Sequence, residues 1–189
     1  MKKIVILGDI GSGKSFIARL FGYPVFNADL EVSKIYKFDR HFFNKLKKKF
    51  PNFFKKFPIK KKEIILMLLQ NRRNLNKLSK IIHPLVRKKM NLFLKRNKFK
   101  KIVVLDIPLY LENKLEKKND IFVFVDAKKN TISTRLKKRK NFNHKIYNFL
   151  KKIQKNGKFK KKKSTYIIKN DFKKNSVKRE VHKILKKIL

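Results

Sequence analysis

Cysteine and tryptophan are absent from this chain of 189 residues, and glycine, proline and acidic residues are scarce. Without cysteine there can be no disulfide and no thiolate-bound metal. No apolar run approaches the roughly 18 residues of a membrane-spanning helix, so no membrane partner is expected. The chain enters an apolar strand almost at once, so no signal peptide is expected and a cytoplasmic location is. Five glycines are present, and three of them, Gly8, Gly11 and Gly13, fall in one loop.

That loop carries the chemistry. Lys3-Ile4-Val5-Ile6-Leu7 reads as a buried strand, followed by Gly8-Asp9-Ile10-Gly11-Ser12-Gly13-Lys14-Ser15 and the helical run from Phe16 to Phe21. The order strand, G-x-x-x-x-G-K-S, helix is that of a P-loop. Glycines let successive backbone N–H groups point at one phosphate chain, and the helix adds its positive N-terminal dipole. Lys14 reaches the β/γ oxygens and the Ser15 hydroxyl is a Mg²⁺ ligand. Gly8, Gly11, Ser12, Gly13, Lys14, Ser15 and Phe16 are therefore expected to bind ATP. In a chain so poor in glycine, a full match in this context is not a chance turn.

The formal net charge is +43. An excess on this scale ordinarily points to nucleic acid or an anionic membrane. Here it is mostly lysine, is spread over the whole chain and accompanies abundant Ile, Phe and Asn. All four residues have codons built only from A and T, so base composition accounts for the charge and no specific nucleic-acid partner is expected. Weak binding to polyanions at low salt follows in any case.

Continuous apolar runs mark the other strands: Val25-Phe26, Ile102 to Leu105, Ile121 to Val125, and Tyr166 to Ile168. Unbroken runs of this kind belong to a parallel sheet covered on both faces, and their alternation with helical segments predicts a doubly wound five-stranded α/β sheet. Helical spacing is expected over 30–38, 40 to about 54, 60–71, about 74–96, 130–140, a lysine-rich stretch to 163 interrupted at Asn156-Gly157, and 176–189. Pro84 should bend or restart its helix. The organisation expected is one kinase-type domain: a core over about 1–29, 100–137 and 164–189, an all-helical insertion over about 30–98 and a lid over about 138–163.

Scarcity makes the carboxylates informative, because several close predicted strands, where α/β proteins place ligands. Asp29 follows the second strand and is the candidate general base for an in-line acceptor; a helix cap is the plainer reading. Asp106 closes the third and is a candidate Mg²⁺ carboxylate, or a solvated turn residue. Asp126 is expected to cap the next helix. Arg135 and Arg139 lie four apart on one helix side ahead of the lid, with Arg139 the better phosphate clamp. His83 reads equally as a buried structural histidine or as a substrate contact. The absence of N-K-x-D argues against a guanine-specific protein. A small kinase remains, with a nucleoside monophosphate kinase or a basic nucleic-acid-dependent ATPase as alternatives.

Several blocks, in order and at similar spacing, resemble the dephospho-CoA kinases: Gly8–Ser15, Asn27-Ala28-Asp29, His83-Pro84-Leu85-Val86-Arg87, Asp106-Ile107-Pro108-Leu109 with Glu112, Arg135 with Arg139, and Gln154 followed by Tyr166-Ile167-Ile168 and Asn170. The resemblance covers essentially the whole chain. It implies MgATP-dependent phosphorylation of the ribose 3′-hydroxyl of dephospho-CoA, the last step of coenzyme A synthesis, by a protein expected to be a monomer. It further implies Asp29 as base and Lys14 with Arg139 on the transferring phosphoryl. His83, Arg87, Pro108 and Leu109 would lie at the acceptor, Arg135 and Asn170 at ATP, and Ser15 and Asp106 at the metal. Five positions depart from the family pattern: Leu7 and Asp9, where Thr-Gly-Gly is common, Phe16, Asn27 and Lys169.

Overall fold

A computed structural model describes residues 1–139 and 142–189 and divides into two compact units, 1–27 with 97–189 and 28–96. The first unit holds β1 (Lys2–Gly8), α1 (Lys14–Leu20), β2 (Val25–Asn27), β3 (Ile102–Asp106) and β4 (Asp120–Asp126). It continues with α6 (Lys129–Lys137), α7 (His144–Ile153), α8 (Gly157–Lys163), β5 (Tyr166–Lys169) and α9 (Lys174–Ile188). The second holds α2 (Ala28–Phe38), α3 (Arg40–Lys49), α4 (Lys61–Gln70) and α5 (Arg73–Arg96).

All five strands run parallel in the order β2-β3-β1-β4-β5. Ile4 and Ile6 of β1 join a cluster with Ile17 of α1 and Val177 and Val181 of α9, while the intervening Val5 and Leu7 are equally buried on the other face. That is why the strands read as unbroken apolar runs rather than alternating ones. On α9, Val177, Val181, Ile184 and Ile188 form the buried stripe, each contributing about 1.5–3 kcal/mol by leaving water. The chain leaves β1 for the outer strand β2, returns to β3 beside β1, then crosses to β4 on the other side. The sheet's C-terminal edge at β1 is therefore its switch point, where α/β folds bind ligands.

One buried lock fixes the opposite edge. The Asp120 carboxylate takes Tyr110 Oη at 2.6 Å, Lys117 N at 2.8 Å and Lys3 Nζ at 2.8 Å. Burial first, then the hydrogen bond to Asp120, pushes the Tyr110 phenol well above its ordinary range, so it remains a donor throughout the neutral range. A second pair ties α8 down: Lys160, 1% exposed, lies 3.3 Å from Glu112, whose Oε1 also accepts from Lys155 N at 2.7 Å.

In the helical unit, Asp39 caps α3 by accepting from Phe42 N at 2.8 Å, and Glu63 caps α4 by accepting from Lys60 N at 2.8 Å. Helix α3 stops at Lys49, earlier than the amphipathic pattern indicates, because Pro51 cannot continue it. Phe42 and Leu46 of the helix are buried, and Phe50 and Phe54 beyond it still reach the core. Helix α5 runs unbroken through Pro84, so the expected restart there does not occur. The predicted end of the 130–140 helix lies at Lys140, outside the described residues, as do residues 140 and 141 of the expected lid; α6 itself closes at Lys137.

Candidate active site

The loop after β1 is shaped by what its glycines permit. Gly13 precedes α1 at φ 95°, and a Cβ there would lie 2.5 Å from Asn170 Nδ2. Only glycine meets both conditions. No side chain caps α1, which leaves the first N–H groups of its N-terminus for an anion. Lys14 folds back so that Nζ donates to Asp9 O at 2.8 Å and Gly8 O at 3.1 Å, holding its charge at the loop. Ser12 is fully buried; its carbonyl accepts from Asn170 Nδ2 at 2.7 Å, and Asn170 Oδ1 accepts from Phe172 N at 2.8 Å. Asn170 therefore splints the loop to the segment after β5. The Phe16 ring packs on the hydrophobic core, and its N–H donates to Gly13 O at 3.1 Å.

Asp9 is an anion in a loop built for anions. Its carboxylate is turned to the start of α8, with both oxygens 3.2 Å from where a Cβ on Gly157 would sit. The missing side chain at Gly157 makes room for it.

Ser15 and Asp106 meet through a residue that sequence reasoning treated only as a departure. Asn27 Nδ2 donates to Asp106 Oδ2 at 2.5 Å and lies 3.5 Å from Ser15 Oγ. A hydroxyl, a carboxylate and phosphate oxygens are the hard donors Mg²⁺ prefers, and Mg²⁺ keeps several waters, so the residues present fit that ion. Among the described residues no cluster of three or more His, Asp or Glu could hold a metal by itself, and such a site does not need one.

Arg135 is exposed, with its guanidinium 4.2 Å from the centroid of the Phe172 ring. Phe172 adopts φ 65°, an uncommon conformation for a bulky residue, and its ring lies beside Gly13. Nothing in the sequence singled it out. Arg139 is exposed just beyond α6, its N–H bonded to Leu136 O at 3.1 Å. Pro108 and Leu109 are half-buried after β3, and Pro108 O is 3.5 Å from Gln154 Nε2. Asp126 does not cap α6: its carboxylate takes Lys161 Nζ at 2.7 Å, and the residue before α6 is Lys128, without a side-chain cap. The lysine-rich α8 supplied a cation closer than the helix terminus.

The remaining candidates belong to the helical unit. Asp29 is the second residue of α2, exposed and inside the helix, rather than its cap. Its charge, after burial, helps hold the Tyr36 phenol above its ordinary range. His83 and Arg87 lie one turn apart on α5 and, with Asn76, Ser79, Lys80 and Pro84, line a cavity of about 440 Å³. Burial first, then the Arg87 charge, lowers the His83 pKa from 6.5, so the imidazole is neutral at pH 7.

Comparison with known proteins gives consistent findings. The family model for dephospho-CoA kinase matches residues 3–176. The dephospho-CoA kinase of Bartonella henselae is 36% identical over 173 residues, covering 89% of this chain and 88% of that protein. That of Wolbachia pipientis is 32% identical over 170 residues, covering 87% of each. Among solved structures, a Thermus thermophilus protein aligns with TM-score 0.84 at 24% identity over 100% of this chain and 97% of its own. A dephospho-CoA kinase from Campylobacter jejuni aligns with TM-score 0.66 at 21% identity, over 99% and 97%. At those identities the structures speak for the fold.

Proposed function

This chain belongs to the dephospho-CoA kinase family, and we propose how its residues carry that family's reaction, transfer of the γ-phosphoryl of ATP to the ribose 3′-hydroxyl of dephospho-CoA. It is a kinase, an ATP-dependent phosphotransferase. The backbone N–H groups of Gly8–Ser15 hold the triphosphate. Lys14 leaves the Gly8 and Asp9 carbonyls to stabilise charge between the β and γ phosphates, and Arg139 does the same from the lid. Asp29 accepts the proton of the 3′-hydroxyl as it attacks. Arg135 and Asn170 sit on the ATP side; His83, Arg87, Pro108 and Leu109 hold the acceptor, His83 as a neutral hydrogen-bonding group. Ser15 and Asp106 would hold Mg²⁺, which when bound neutralises charge on the phosphate oxygens. The lid over about 138–163 excludes water during transfer. The protein works in the cytoplasm as a monomer, needing neither membrane nor nucleic acid.

What supports this reading above all is the splinted loop, with Lys14 tethered to its carbonyls and Ser12 to Asn170, in a chain matched by the family model across residues 3–176. The test is ADP release from MgATP by the purified protein, with and without dephospho-CoA, with coenzyme A identified by mass. AMP, CMP, UMP and single-stranded DNA serve as competing stimulants. Turnover that requires dephospho-CoA is expected. Stimulation by a nucleotide or DNA in its place would overturn the acceptor assignment.

A further inference from the structure

We propose that Asn27 is a positioning residue for the metal-side groups, holding Asp106 and Ser15 in their working arrangement before any metal arrives; this rests on the reading of Ser15 and Asp106 given above. The placement begins in the sheet. In the β2–β3 register Asn27 is the partner of Asp106, so the two side chains leave adjacent strand ends at the C-terminal edge. The amide then spans the gap, 2.5 Å to Asp106 Oδ2 and 3.5 Å to Ser15 Oγ. The direction of the first bond is forced, because an amide nitrogen only donates.

Asp106 is 2% exposed, so water contributes little to orienting it. With Oδ2 committed to Asn27, Oδ1 is the oxygen that would serve the metal. The serine oxygen, with two lone pairs, can accept from the amide and still ligate. In this chain Asn27 supplies a neutral donor to Asp106. A carboxylate at 27 would face Asp106 charge to charge until a cation separated them, so the edge would be assembled only with metal bound. A methyl group would leave Asp106 without the donor that orients it. Outer groups that orient ligands in this way typically change metal affinity about 10–100-fold when removed.

The test uses the full chain and two variants. Mn²⁺ binding is followed by electron paramagnetic resonance in the presence of ADP, ADP binding without metal by calorimetry, and melting temperature with and without Mg²⁺. For Asn27→Ala, Mn²⁺ should bind about tenfold more weakly while metal-free ADP binding stays within about twofold. The free Mg²⁺ giving half-maximal turnover should rise in parallel, with the ATP KM at saturating Mg²⁺ little changed. For Asn27→Asp, the melting temperature without metal should fall by several degrees and Mg²⁺ should restore it, whereas the parent melts alike in both conditions. Unchanged Mn²⁺ affinity in Asn27→Ala, or a loss of stability in Asn27→Asp that Mg²⁺ does not repair, would overturn the proposal while leaving dephospho-CoA-dependent turnover intact. If the parent bound no Mn²⁺ with ADP, the assignment of Ser15 and Asp106 would fail first, and the proposal with it.

Discussion

Replacing Gly13 by alanine tests the geometry of the phosphate loop more directly than any change to a charged group. Two penalties arise. The residue sits at φ 95°, where a Cβ costs about 1–2 kcal/mol. That Cβ would also stand 2.5 Å from Asn170 Nδ2, a separation atoms do not tolerate, so Asn170 must withdraw. Withdrawal breaks its bonds to Ser12 O and Phe172 N, at 2.7 and 2.8 Å, each worth about 1 kcal/mol. Gly13→Ala should therefore lose about 3–4 kcal/mol, or roughly 10 °C in melting temperature for a chain of this size. Asn170→Ala alone should lose about 2 kcal/mol. The double variant should be no worse than Gly13→Ala, because the bonds deleted at 170 are already gone. Urea unfolding of the four proteins gives the coupling, expected at about 2 kcal/mol below additivity. Additivity within about 0.5 kcal/mol would refute the reasoning, since the glycine would then be required for its backbone alone.

Other expectations follow from the same geometry. Lys14→Ala should lower turnover by about two to three orders of magnitude, because little else can replace a charge between the β and γ phosphates; steady-state ADP release at saturating substrates measures it. Asp29→Asn should reduce kcat far more than it changes ATP binding, and a normal kcat in that variant would remove Asp29 from the role of base. Tyr110→Phe should destabilise by about 1–3 kcal/mol in urea titrations, because it strips a donor from the buried Asp120 carboxylate while leaving turnover of the folded enzyme near normal. His83 has a folded pKa below 6.5, so the unfolded chain binds its proton first and stability falls as pH drops below 6.5. Melting curves between pH 7.5 and 5 should show a shallower decline for His83→Gln than for the parent.

The parts legible in the sequence were those governed by local pattern. Strand runs such as Ile102–Asp106 announced burial on both faces because nothing in them is polar until the ligand edge. The P-loop announced itself because glycine is otherwise rare here. The effect of prolines was less legible: Pro51, just beyond the helix, ends α3 early, whereas α5 runs unbroken through Pro84. Asp126 looked like a cap because it precedes a helix. Its partner Lys161 lies thirty-five positions on, in a run of lysines any one of which would have looked the same.

That last difficulty is general in this chain, and it shows where composition hides function. Lysine appears almost everywhere, so identity alone carries no information about which lysine is special; motif position marks Lys14, but only burial distinguishes Lys160. The departures from the family pattern are the converse case. Asp9 and Asn27 are conspicuous by type, yet their sequence gives no sign of how they are accommodated. The answers lie far along the chain: Gly157 lacks the side chain that would meet Asp9, and Asp106, across one strand gap, gives Asn27 an acceptor. A carboxylate in a phosphate loop is tolerable once turned away from the phosphates, and an amide beside a metal carboxylate is tolerable once it orients that carboxylate. Each of these two departures is paired with a second residue, so the pair rather than the single position should be exchanged when testing them. Gly157→Ala is the sharpest case. Alanine at the start of α8 gains helix propensity, about 0.5–1 kcal/mol. In the parent it also requires the Asp9 carboxylate to shift from where its oxygens stand 3.2 Å from the new Cβ. Melting temperature should therefore rise more on Gly157→Ala in an Asp9→Gly background than in the parent.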